Sequence, residues 1–278
     1  MNLVFDVGNT ETVMGLFENG GMLDHWRLST LTGSTVDELG LLVRSMIRES
    51  GFPLDTIRGA AIGSVVPPMT ATLVETCERH LGVPALVVDA RSPLPIRLDV
   101  EEPLSVGADR IVNTLAAMRR FGTDTIAVDL GTATTFDCIT ADGVFIGGVI
   151  APGVRTGADM LVRRTAKLPR VDIEPPTGVI GRRTETSLQS GIFFGAVETI
   201  DGIVRRIKKE WNRPDALVVA TGGLASFVGP HCQTVDRIEP FLTLYGLDLA
   251  YRYLRQMPAP PGRSRVAPSR AHSVRYRR

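Results

Sequence analysis

Asp6-Val7-Gly8-Asn9-Thr10 and Asp129-Leu130-Gly131-Thr132-Ala133 are two copies of one phrase: Asp-x-Gly, then small polar residues. Each closes a short apolar run, residues 2–7 and 125–129, that has the pattern of a buried strand entering a tight turn. The downstream flanks match as well. Strands are predicted over 12–17 and 24–29 after the first copy, and over 136–139 and 144–150 after the second. One Asp-x-Gly after a strand is most simply a turn. Two copies with matching flanks point to a duplicated supersecondary unit with a cleft between its halves. The division is placed at 118–124, giving an N-terminal domain over 2–120 and a C-terminal domain over 121–257.

Working outward, apolar residues recur at helical spacing over 35–49 (Val36, Leu39, Leu42, Val43, Met46, Ile47), and Thr35 with Glu38 forms a capping-box pattern. A strand is predicted over 59–65, a proline-opened helix over 67–81 and a strand over 85–88. A helix over 105–120 begins in Val-Gly-Ala-Asp-Arg. Further on come a long helix over 185–211, a strand over 216–220 running into Thr221-Gly222-Gly223, and an amphipathic helix over 241–257. Strands alternating with helices imply an α/β architecture.

The composition is that of a globular protein: 278 residues, 44% hydrophobic and only 6% aromatic, so the core must be mostly aliphatic. The net charge of +1 is unevenly spread. Residues 258–278 carry Arg263, Arg265, Arg270, Arg275, Arg277 and Arg278 and no acid, so the rest of the chain stands at −5. The folded body is therefore mildly acidic and no nucleic-acid partner is expected for it. The Pro/Arg-rich tail cannot bury a core and is expected to be disordered. Cys77, Cys138 and Cys232 are widely spaced and odd in number, which suits a reducing cytoplasm rather than a disulfide framework. Asp6 interrupts the first apolar run, no basic stretch precedes it, and no apolar run is long enough for a bilayer. Neither a signal peptide nor a membrane span is expected.

A nucleoside triphosphate presents dense negative charge, which proteins meet with backbone N–H groups at Gly-rich turns, hydroxyl donors and a carboxylate-held metal. The repeated turns supply all three. Gly8 and Gly131 allow close backbone approach, and Asn9, Thr10, Thr132, Thr134 and Thr135 offer neutral donors. Asp6 and Asp129 sit at strand ends, where a carboxylate can hold a hydrated Mg²⁺ or another cation. Thr221-Gly222-Gly223 adds a third Gly-rich turn. Competing chemistries lack their residues. There is no P-loop signature, and the three lysines, Lys167, Lys208 and Lys209, lie outside the Gly-rich turns. No dinucleotide fingerprint follows a strand, no Gly-x-Ser-x-Gly elbow occurs, and the four histidines form no zinc-like pair.

Together, Asp-Val-Gly-Asn-Thr at 6–10, Val-Gly-Ala-Asp-Arg at 106–110, Asp-Leu-Gly-Thr-Ala-Thr-Thr at 129–135 and Gly-Gly-Val-Ile-Ala-Pro-Gly at 147–153 resemble the type III pantothenate kinase family. Thr165-Ala166-Lys167-Leu168-Pro169 and Thr184 with Ser187 and Gly191 extend the likeness, which runs over about residues 2–255. The resemblance implies two duplicated ribonuclease H-like (actin-like ATPase) domains around an interdomain cleft, and ATP-dependent phosphorylation of pantothenate, the first step of coenzyme A biosynthesis. By the same resemblance, Asp6, Val7, Gly8, Asn9, Thr10, Glu11, Thr12 and Val13 form the ATP phosphate-binding turn, with Thr132 a further ATP contact. Gly107, Ala108, Asp109 and Arg110 form the pantothenate loop, Asp109 is the catalytic base, and Thr184 is another pantothenate contact. Asp129 holds a monovalent cation, K⁺ or NH₄⁺, and Asp6 is a candidate Mg²⁺ ligand. A homodimer that completes the substrate pocket is implied as well.

One position departs from the family pattern. Many members carry a pantothenate-contacting tyrosine three residues before the proline that precedes Val-Gly-Ala-Asp-Arg. Here that proline is Pro103 and the position is Val100, which cannot donate a hydrogen bond. Two alternatives stand beside the pantothenate kinase reading. A sugar or carboxylate kinase would share the ATP cleft but need another acceptor loop. A non-catalytic transcriptional accessory factor of the same family would suit the basic tail, but the catalytic set here is intact.

Overall fold

The first half alternates strands and helices as its sequence dictates. β1 (Asn2–Val7), β2 (Glu11–Glu18) and β3 (Gly21–Ser29) form an antiparallel meander, and α1 (Val36–Glu49), β4 (Ala60–Ser64), α2 (Pro67–Thr76) and β5 (Ala85–Val88) come next. These strands make one sheet in the order β3-β2-β1-β4-β5. The computed structural model describes residues 1–257; the tail expectation falls outside them. The capping box starts α1 as expected: the Thr35 hydroxyl accepts from Glu38 N, and the Glu38 carboxylate accepts from Thr35 N. Leu39, Val43 and Ile47 then form its buried face. The helix expected over 67–81 changes character midway. It is α-helical to Thr76 and opens into a π turn over Cys77–Leu81, ending at Gly82 in the left-handed region. The wider turn keeps Cys77 fully buried while the chain turns into β5.

The second half repeats the plan. β6 (Arg97–Leu98) and α3 (Ala108–Arg120) lead into β7 (Thr125–Leu130), β8 (Ala133–Ile139) and β9 (Val144–Pro152). Next come α4 (Val154–Arg164), α5 (Thr184–Glu210), β10 (Leu217–Thr221), the short α6 (Ala225–Val228), β11 (Arg237–Ile238) and α7 (Leu242–Gln256). The second sheet runs β11-β10-β7-β8-β9-β6. Apart from β6, both sheets share one order and one set of directions, the meander on one side and two parallel strands on the other. Periodicity missed α4, because it begins directly after a proline-glycine break, and β6 and β11, because each is two residues long. The helix expected from 105 begins at Ala108, after a 3₁₀ turn over Pro103–Ser105 and a Gly107 N-cap.

The halves exchange elements. β6 precedes the 118–124 division yet pairs parallel with β9 of the second sheet. α7 comes from the end of the described chain yet packs on β1, β4 and α3. α3 lies against both sheets. Ile111, Val112 and Leu115 join a core with Val4, Ala61, Leu244 and Leu247. Ala116 and Ala117 join another with Ala127, Ile139, Phe145 and Val219. Buried polar ties reinforce this: Asn2 Nδ2 donates to Asp248 Oδ1 at 2.7 Å, and Thr243 Oγ1 donates to Asn113 Oδ1 at 3.1 Å.

The α3–α7 approach requires glycine at 246, where a Cβ would collide with the Val112 carbonyl. Gly246→Ala is expected to cost about 1–3 kcal/mol by overpacking. Gly202→Ala, in open space within α5, should be neutral or stabilising by up to about 1 kcal/mol. Thermal unfolding of both variants checks this; equal melting temperatures would refute the close-packed α3–α7 seam.

Candidate active site

The two Asp-x-Gly turns meet. Gly8 N donates to the Glu11 carbonyl, Gly131 N donates to the Ala133 carbonyl, and Thr10 Oγ1 lies 3.1 Å from Thr132 Oγ1. The hairpins are not identical. Asp6 pairs with Val13 and Asp129 with Thr135, so the second hairpin is one residue shorter. Thr30 braces the first turn: its hydroxyl donates to Gly8 O at 2.8 Å and its N–H to Thr10 O at 3.0 Å. The turn expectation fails for Thr134 and Thr135, which are strand residues of β8. Thr134 is buried on the side away from Asp129, because successive strand residues alternate faces.

Period-two alternation also builds the site's floor. Asp129 and Ala127 of β7, Thr221 and Val219 of β10, and Thr135 and Asp137 of β8 stand opposite one another and share one face. α3 lies across that face. Its first turns present Asp109, Arg110 and Asn113 before the small Ala116 and Ala117 let it settle on the sheet. Gly107, the N-cap, makes no side-chain cap, so the positive end of the helix is open toward the cleft. A Cβ at Gly107 would strike the Asp109 carboxylate. That carboxylate accepts from Arg110 N at 2.9 Å.

The electrostatics reflect the convergence of these groups. Burial, then the neighbouring Asp109 and Asp129 carboxylates, push Asp6 well above the usual carboxylate range, and Arg27 opposes them. Burial, then Asp109 and Asp137, push Asp129 up to about 7, with the Asn113 side chain pulling back. By surface area Asp6, Asp109 and Asp129 keep some solvent access, as groups lining a cleft should. Asn113 Nδ2 closes no hydrogen bond, so its help to Asp129 is longer range. Gly222 (φ +87°) must be glycine twice over: its backbone is left-handed, and a Cβ would collide with Asp129 Oδ1.

Two partners emerge that carried no sequence signal. Asp137, fully buried in mid-strand, accepts from Arg110 Nε at 2.6 Å. Burial raises it to about 6 while Arg110 holds it down. The Arg110 guanidinium also lies 4.8 Å over the Phe145 ring, leaving its terminal nitrogens as the free donors. Arg27 pairs with Glu11 at 3.0 Å on the rim of the first turn. Nothing ties Thr184 to this cluster among the described residues; it is exposed at the first position of α5. Val100 is partly buried and packs on the core under α3. The hollows do not mark the chemistry directly. The larger, about 860 Å³ between α2 and β5, is a surface groove bearing none of these aspartates. A cavity of about 280 Å³ between α4 and α5 is bounded by Thr134 of β8 and Gly153, and it too bears none of these aspartates.

Among the described residues, three buried side-chain polar atoms lack partners: Asn113 Nδ2, Asp137 Oδ2 and Thr221 Oγ1. All belong to the face around Asp129. Such atoms are costly unless something else binds there. Asp129 with the Thr221 hydroxyl therefore suits a weakly hydrated cation. No group of three or more His, Cys, Asp or Glu forms a cage among the described residues.

A duplicated α/β sheet unit with paired Asp-x-Gly turns facing across a cleft is the plan of the actin-like fold. The sequence profile of type III pantothenate kinase matches residues 2–206, and the chain belongs to that family. The fold recurs in solved structures of low identity. One, described as a Baf family transcriptional activator from Campylobacter jejuni, is 16% identical over 92% of this chain and 100% of its own, with a TM-score of 0.56. The ethanolamine utilization protein EutJ from Carboxydothermus hydrogenoformans is 16% identical over 89% and 88%, with a TM-score of 0.53. A chain described as a 2-dehydro-3-deoxygalactonokinase from Sinorhizobium meliloti is 11% identical over 92% and 100%, with a TM-score of 0.53. No helix among the described residues is long and apolar enough to cross a membrane.

The raised Asp129 predicts a pH-dependent stability. A carboxyl with a folded-state pKa near 7 and an unfolded value near 4 binds its proton more tightly when folded. Its contribution is therefore present below about pH 4 and is lost as pH rises to about 7. In ligand-free buffer with a bulky organic cation, Asp129→Asn should raise the melting temperature more at pH 8 than at pH 5. An identical increment at both pH values would refute the buried, uncompensated carboxylate.

Proposed function

We propose that this kinase transfers the γ-phosphoryl group of ATP to the primary hydroxyl of pantothenate, giving 4'-phosphopantothenate and ADP. The observation that carries the reading is the convergence of Asp109, at the open N-terminus of α3, with Asp6 and Asp129 at the two facing turns. The family match supports the same acceptor.

The turn of residues 6–13 and Thr132 cradle the phosphates with backbone N–H and hydroxyl donors. Asp109 accepts the hydroxyl proton as the pantothenate oxygen bonds to the γ-phosphorus. The bond from phosphorus to the bridging oxygen breaks, and ADP leaves with that electron pair. Positioning and charge neutralisation dominate such transfers, and the base adds roughly 10²–10⁴-fold. Arg110, held by Asp137 through Nε, offers its terminal nitrogens to the pantothenate carboxylate. The remainder of the loop, Gly107 and Ala108, brings backbone close to the substrate. Thr184 serves as a further pantothenate contact, with the pocket completed across a homodimer. K⁺ or NH₄⁺ at Asp129 and Thr221 would supply positive charge beside the phosphates. Mg²⁺ would arrive on the triphosphate, with Asp6 as its protein carboxylate. Cytoplasmic action fits the free thiols and the absence of disulfides among the described residues.

The test is steady-state kinetics with ATP, Mg²⁺ and candidate acceptors. Pantothenate should be the efficient acceptor, and Asp109→Asn should lower kcat about 10²–10⁴-fold with ATP affinity retained. Near-normal turnover of the folded variant would remove Asp109 as base. Replacing Na⁺ by K⁺ or NH₄⁺ should raise the rate sharply, and indifference to the cation would remove the Asp129 role.

A further inference from the structure

The nucleotide cleft is short of positive charge. Asp6, Asp109 and Asp129 already face one another, and a triphosphate would add more negative charge. The three lysines lie elsewhere in the sequence, and Arg110 is committed to Asp137. Arg27 faces this cluster. In the first sheet Asp6 stands opposite Val13, and Val13 stands opposite Arg27. The three residues form one row across β1, β2 and β3, and directly opposed strand residues point to the same face. Arg27 therefore projects from the face that carries Asp6, and its positive charge opposes the rise of Asp6.

Its reach extends beyond its own sheet. A Cβ on Gly223 would lie 3.4 Å from Arg27 Nη1 and 3.8 Å from Nη2. The guanidinium thus sits alongside the Thr221-Gly222-Gly223 turn of the second half, whose Gly222 abuts Asp129. Arg27 spans the mouth of the cleft between the two carboxylate-bearing strands. Its ion-pair partner, Glu11, belongs to the first turn itself. The side chains of this pair are 40% and 47% exposed. Exposed pairs are weak and exchange readily for a stronger anion. A phosphate oxygen is such an anion, and a guanidinium meets it with paired donors.

The geometry points to Arg27 as a phosphate-binding residue of this site: on ATP binding it exchanges Glu11 for oxygens of the terminal phosphates while bridging β3 to the Gly222–Gly223 turn. The inference rests on the kinase reading above but not on the identity of the acceptor. Arg27 supplies from an edge strand the charge that a P-loop enzyme takes from its lysine.

The experiment measures ATP and AMP binding to the full chain by calorimetry, without any acceptor, for the wild type, Arg27→Ala and Arg27→Lys. Arg27→Ala is expected to weaken ATP binding at least tenfold and leave AMP binding within twofold. Arg27→Lys should recover part of the loss, since it keeps the charge but not the fork. Unchanged ATP affinity in Arg27→Ala, or an equal loss for ATP and AMP, would overturn the assignment. Wild-type protein that bound no ATP would overturn the kinase reading and this one together. An acceptor other than pantothenate would overturn only the choice of acceptor, and the ATP-selective loss would still support Arg27.

Discussion

The packing of α3 against both sheets is the constraint on which the rest depends. Ile111, Val112 and Leu115 fasten it to the first sheet and to α7, while Ala116 and Ala117 let it lie close on the second. A helix held on two sides has little freedom to tilt. Its N-terminus therefore opens where the two Asp-x-Gly turns face each other, and Asp109 and Arg110 are delivered there together. The Thr10–Thr132 contact is a consequence of this arrangement. The exchange of β6 and α7 between the halves braces it further, because two further core clusters draw residues from both halves.

The electrostatic design is the counterpart of that packing. Carboxylates are brought together in a partly buried cleft with few cations to answer them. Asp6, Asp129 and the buried Asp137 rise above the ordinary range, and among the described residues three buried polar atoms around Asp129 lack partners. The protein thus holds its site in a state that is costly by itself and is relieved by what binds. In the proposed reading, a triphosphate would meet turns whose backbone is already fixed by the fold, which is the preorganisation that phosphoryl transfer rewards. Arg110 illustrates the same principle. Asp137 fixes one edge of its guanidinium and Phe145 supports its plane, so the remaining edge is oriented before substrate arrives.

Val100 adapts this scheme locally. It packs on the core beneath α3, joining Ala116, Ala117 and Phe145. The tyrosine of the family pattern is thus replaced by an apolar side chain that serves the core.

The strands, the long helices, the Thr35–Glu38 cap and the duplicated turns were legible in the chain alone, because each is written in local periodicity or in a short motif. Asp6 and Asp129 stood out in the same way, since Asp-x-Gly is contiguous and repeated, whereas Asp109 and Arg110 were singled out by the family resemblance of Gly-Ala-Asp-Arg. The three-dimensional arrangement settled the rest. Asp137 looks like any mid-strand residue until α3 lays Arg110 upon it, and Arg27 looks like a surface charge until strand register aligns it with Asp6. The swap of β6 and α7 between halves was illegible for the same reason. Two residues of strand carry no period, and an amphipathic helix does not say which sheet it covers. Local propensity acts over a few residues, whereas the partners of a side chain are set by contacts made across tens of residues, as for Arg110 with Asp137, or more than a hundred, as for Thr10 with Thr132.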